Sequence, residues 1–227
     1  MQTILTHSTT FWSRWERRLA GELADTPRRN MRIELTGAVI YGLFHATLQF
    51  IPVLMRRLGA SPEQVAMYAG QGYIAMMLVG PLLFWLRPRR AKPFVVGCLL
   101  LARSFFIWIA FVADPVWLLI ITFGYLLFES LQGPPYTHMV QSLYPAAARA
   151  RVIGAIRMGT ALTVLAAAPL VGWALDSVGY AALFPLGAAA GMLAALVLWQ
   201  WRDNESEMSL KPTPSLRFVW RIPQQAR

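Results

Sequence analysis

Apolar residues fall in six long blocks along this chain, at 33–55, 64–86, 93–113, 115–137, 152–175 and 179–199, separated by short polar or basic connections. Crossing ~30 Å of hydrocarbon at 1.5 Å per residue takes about 20 apolar residues in a helix. Each block meets that length, so the pattern predicts an all-α membrane protein with six transmembrane helices. The third and fourth blocks meet at Asp114–Pro115, a tight hairpin in which proline stops one helix and opens the next. The fourth helix is expected to run on to Leu143, with Pro134–Pro135 as a kink. The first block starts after 32 polar and basic residues without a small-residue cleavage site, which reads as a retained span and not a signal peptide. The expected organisation is a tail over 1–32, a six-helix domain over 33–200 and a second tail over 201–227.

Charge sets the expected orientation. Both tails, the second connection (Arg87, Arg89, Arg90, Lys92) and the fourth (Arg149, Arg151, Arg157) share one face, which collects 18 basic residues against Arg56 and Arg57 on the other. Basic residues are retained in the cytoplasm, so both termini are expected inside a cell inner membrane. Ahead of the first span, Phe11, Trp12, Trp15, Leu19 and Leu23 fall along one side of a helix, with Arg14, Arg17 and Arg18 mostly off it, the pattern of a helix lying in the interface. The last stretch reads as a linker ending in an amphipathic piece at 216–222.

Composition agrees with the bilayer as solvent. Charged residues make up 14% and hydrophobic ones 56%, where a soluble domain carries roughly 25% charged residues. The net charge of +10 does not argue for nucleic acid, because the basic residues lie between apolar runs and not on a soluble face. Cys98 is the one cysteine and sits inside a span, which leaves neither a disulfide framework nor a sulfur-ligated metal cluster. Neither HExxH nor GxSxG occurs, nor a phosphate-cradling loop with lysine, so no enzyme, cofactor or metal is expected.

What remains are polar groups inside the spans, which are expensive in hydrocarbon and therefore candidates for function. Tyr41, His45 and Gln49 recur every fourth residue on one face of the first span. Tyr125, Glu129, Gln132 and Tyr136 share a face of the fourth, with Tyr68 and Gln71 as weaker candidates on the second. Gly187 and Gly191 in the sixth form a small-residue packing surface. Counted from the 114–115 hairpin, Arg103 lies about 15 Å deep and Glu129 about 21 Å. An offset of about 6 Å is within reach of an arginine side chain, so a buried ion pair is expected.

The order Glu129-x-x-Gln132-Gly133, followed by Arg149-x-Arg151, resembles the fourth helix and the next loop of the major facilitator superfamily. Glu129 stands where that motif has arginine, so the arginine's role does not carry over. Gly159, Pro169 and Gly172 match the spacing of the family's fifth-helix antiporter motif, with Ala168 and Trp173 where it has glycines. In the second connection Phe84 and Trp85 replace the family's Asp-Arg pair. The resemblance implies one six-helix half, built as an inverted 3+3 repeat, of a transporter whose two halves enclose a midplane site. Spans one and four would then face the cavity, putting Tyr41, His45, Gln49, Tyr125, Glu129, Gln132 and Tyr136 at the site of a solute or coupling ion. Expected function is secondary-active movement of a small solute by alternating access. The chain would act as a fragment or truncated product of a larger transporter, or together with a second half or another copy. The alternatives are a non-transporting scaffold or assembly factor on the same fold, and, more remotely, a membrane-bound enzyme.

Overall fold

The computed structural model describes residues 23–202; the interfacial helix expected from Phe11 onwards and the amphipathic piece at 216–222 lie outside the described residues. Six membrane-length helical spans run Asp25–Arg57, Pro62–Leu86, Ala91–Phe111, Pro115–Leu143, Ala146–Ser177 and Tyr180–Trp199, and no strand occurs among the described residues.

Local chemistry explains where they start and stop. Ser61 caps the second span in a reciprocal box with Gln64, and Pro62 opens the helix. Asp114 accepts a bond from the Val116 amide at 2.7 Å and starts the fourth span ahead of Pro115. Gly179 joins the fifth and sixth spans at φ +86°, a conformation that a side chain would strain.

Several boundaries differ from the expected blocks. The first helix begins at Asp25 and not at 33, since its polar first turns are still helix-competent and pack on the end of the sixth span: Asn30 bonds the Arg202 backbone in both directions. It pauses at Gln49–Phe50, where Pro52 lacks the amide that would continue the ladder, and resumes over Ile51–Arg57. The fifth helix starts at Ala146, directly after Pro145, because the Ala146–Ala148 run favours helix. The fourth consists of two pieces, Pro115–Leu131 and Gly133–Leu143, with Gln132 at the junction that Pro134 and Pro135 impose.

The packing has an internal symmetry. The first span packs on the fifth and sixth, the fourth packs on the second and third, and the third and sixth pack on each other. Exchanging spans one to three with four to six maps these pairings onto themselves, the relation a 3+3 inverted repeat requires. In lipid the hydrophobic effect does not drive helices together, so close packing at small residues must. A Cβ at Gly42 would meet the Thr163 side chain at 2.5 Å and the Thr160 carbonyl at 3.0 Å; one at Gly187 would meet Thr47 at 2.8 Å. These glycines bring the first span against the fifth and the sixth. Near the hairpin end, Phe44, Phe106 and Tyr125 meet edge-on with ring centroids 4.8 to 5.8 Å apart. A second core, around Val95, Met139, Tyr144 and Trp201, holds the end that carries the tails.

Candidate functional site

A groove of about 780 Å³ runs beside the first span from Ile33 to Gln49 and is walled by the third, fourth, fifth and sixth spans. That run of the first span measures about 24 Å at 1.5 Å per residue, so the groove extends through most of a bilayer's hydrocarbon.

Its deep end is built around Arg103. The guanidinium lies over the Tyr41 and Phe44 rings at 5.1 and 5.7 Å, donates through Nη1 to the Leu99 carbonyl at 2.8 Å, and stands 3.4 Å from Glu129 Oε2. Gly191 makes room for it, since a Cβ there would fall 2.9 Å from Arg103 Cδ. Tyr41 also neighbours Glu129 and Tyr125. His45 sits edge-on to Tyr41 at 5.5 Å, its Nδ1 buried and bonded to no described protein atom.

Of the residues singled out on the first and fourth spans, Tyr41, His45, Gln49, Glu129, Gln132 and Tyr136 line the groove. Tyr125 does not. It packs between Phe44 and Phe106 at 6% exposure, one turn ahead of Glu129 on the same helical piece, where these two rings hold it in the core. Gln71 also lies off the groove: it donates to the Leu119 carbonyl at 2.8 Å and accepts from Thr122 at 3.0 Å, tying the second span to the fourth. Tyr68 packs against the hairpin-end core.

Two groove residues gave no functional signal in the sequence. Glu34, buried at the tail end of the first span, accepts hydrogen bonds from the Tyr136 and Tyr144 hydroxyls. Tyr136 in turn stacks on Trp201, with ring centroids 6.3 Å apart and planes within 8°. Arg157, counted by sequence as a charge of the fourth connection, lies well inside the helix that starts at Ala146 and points into the groove. Glu34 stood as the second residue of the first apolar block, beside the polar tail, and Arg157 was hidden among arginines that orient the chain.

The residues carrying the family resemblance have structural placements of their own. Arg149 donates to the Gln141 and Tyr144 carbonyls, closing the end of the fourth span, while Arg151 is exposed. Gly159 and Gly172 face Leu35 and Phe50 of the first span, with Pro169 inside the helix between them, and Gly133 meets nothing within 4 Å.

The family model of the Major Facilitator Superfamily matches residues 33–226. The chain belongs to this superfamily. Its six spans and groove are thus those of a multi-pass membrane protein of the superfamily. Among solved structures the fold is similar to a bacterial homologue of the human lysosomal transporter Spinster, captured inward-facing and unoccupied, with a TM-score of 0.57 at 16% identity. The match covers 86% of this chain and 47% of that one, so the chain spans about half the length of the structure it resembles. No curated protein sequence matches the chain.

Proposed function

We propose that the chain forms one half of a secondary-active transporter that moves a small solute by alternating access. The observation that carries this reading is the groove itself, which sets two carboxylates and two arginines inside membrane spans. Ionisable groups at that depth are costly and mark solute or ion pathways. Exposed to lipid, the groove would leave those charges facing hydrocarbon, so a second six-helix body must cover it, either another half or another copy of this chain. With no nucleotide-binding motif in the sequence, an ion gradient is the energy source that fits. The chain ahead of the first helix and the stretch 203–227 then lie in the cytoplasm at the inner membrane, with 203–227 as the connection to the second body.

The test uses a cysteine at position 45 in a Cys98→Ala background, labelled in sealed membrane vesicles of both orientations with a membrane-impermeant maleimide. Alternating access requires labelling from both faces. Labelling from one face only, under every imposed ion gradient, would reassign the chain to the scaffold alternative.

A further inference from the structure

We propose that the groove takes a small amphipathic solute bearing a carboxylate or phosphate group, and that Arg157 is the residue that binds this group. The inference rests on the reading of the groove as a solute site and names the class of solute.

Four charged side chains line the groove: Glu34, Arg103, Glu129 and Arg157. Three are engaged from within the protein. Glu34 accepts from two tyrosine hydroxyls. Arg103 and Glu129 face each other at 3.4 Å, and Arg103 also holds the Leu99 carbonyl and two aromatic faces. Arg157 is different: among the described residues no carboxylate lies within ion-pairing distance of it, and it is exposed to the groove, near enough to Tyr136 to act on it electrostatically. A guanidinium within a span needs an anionic partner. Its planar fork suits the paired oxygens of a carboxylate or phosphate.

The same helix supplies the rest of the class. Ala161, Val164, Leu165 and Ala168 also line the groove, and they follow Arg157 at the three- and four-residue steps that share one helix face. An anion held at Arg157 would therefore lay an apolar body along this stripe, toward Tyr41 and His45 on the opposite wall. Such a body gains by leaving water for an apolar wall, while the fork fixes which end leads.

The test uses the full chain in phosphatidylcholine nanodiscs, with benzoate and phenyl phosphate as anionic probes and benzamide and benzylamine as matched neutral and cationic ones. The readout is the shift of the thermal unfolding midpoint with probe concentration. At least one anion should bind saturably, about tenfold or more tighter than benzamide. Arg157→Gln should erase that preference and Arg157→Lys should keep part of it. Arg151→Gln, on the same helix but outside the groove, should leave it intact. Equal binding of anionic and neutral probes, no binding of either anion, or a preference that survives Arg157→Gln would each overturn the proposal. A lipid headgroup offers the same chemistry: stabilisation by phosphatidylglycerol alone, lost in Arg157→Gln, would assign Arg157 to lipid and overturn the solute form. The labelling test at position 45 separates the two readings. Two-sided labelling without an anion preference removes this proposal alone, and anion binding with one-sided labelling removes transport alone.

Discussion

Arg103 Nη1 stands 3.4 Å from Glu129 Oε2, with the two side chains 4% and 24% exposed, across the interface of two antiparallel spans. Buried pairs of this kind are asymmetric in their energetics, because removing one partner strands the other charge. Arg103→Leu and Glu129→Leu should each cost about 3–5 kcal/mol of stability after extraction into mild detergent, and the double variant much less than their sum. A double-mutant cycle on unfolding midpoints reads this directly. Strictly additive losses would mean that the pair contributes no coupling, and would leave Glu129 free as a binding group.

Glu34 serves as acceptor for two hydroxyls, from Tyr136 and Tyr144, which join the first and fourth spans at the tail end. Glu34→Leu leaves both without that acceptor and should cost at least about 2 kcal/mol, while Tyr136→Phe, removing one bond, should cost about 1–2 kcal/mol. The losses should also be less than additive in combination, since they share one bond. A Glu34→Leu variant as stable as the parent would show that the carboxylate contributes nothing to holding the two spans together.

Glycine positions supply a matched pair. A Cβ at Gly42 would meet Thr163 at 2.5 Å, with the Thr160 backbone carbonyl close behind, whereas one at Gly97 meets nothing within 4 Å. Gly42→Ala should therefore push the first and fifth spans apart at a cost of about 1–3 kcal/mol. Gly97→Ala should be neutral or stabilise by up to about 1 kcal/mol. Equal responses in the same detergent assay would mean that the close approach at Gly42 is not tight in the membrane.

Orientation is open to reporter fusions. With 17 basic residues at one face, Arg157 lying in the groove, and 2 at the other, fusions after Met55 and Ala113 should report the outer side, and fusions after Pro88 and Asp203 the cytoplasm. Reporters placing the two chain ends on opposite sides would require an odd number of spans and reject the six-helix arrangement.

The number of spans, their order and the hairpin at Asp114–Pro115 were legible in the sequence, because hydrocarbon demands a contiguous apolar run and that demand is local to each helix. That Arg103 and Glu129 lie within about 6 Å of each other in depth was legible for the same reason: depth along a helix is residue count times rise. Rotation about each helix axis is a different matter, since it depends on which neighbour packs on which face. Spacing placed Tyr125 and Glu129 together, four residues apart on one face, yet the Phe44 and Phe106 rings hold Tyr125 in the core while Glu129, one turn on, lies on the groove. Arg157 and Glu34 make the point from the other side. Along the chain they were one basic charge among many and one acid beside a tail; only the packing of the first, fourth and fifth spans turned both toward a shared groove, because a charge shows which side of a membrane it prefers but not which helix it will face.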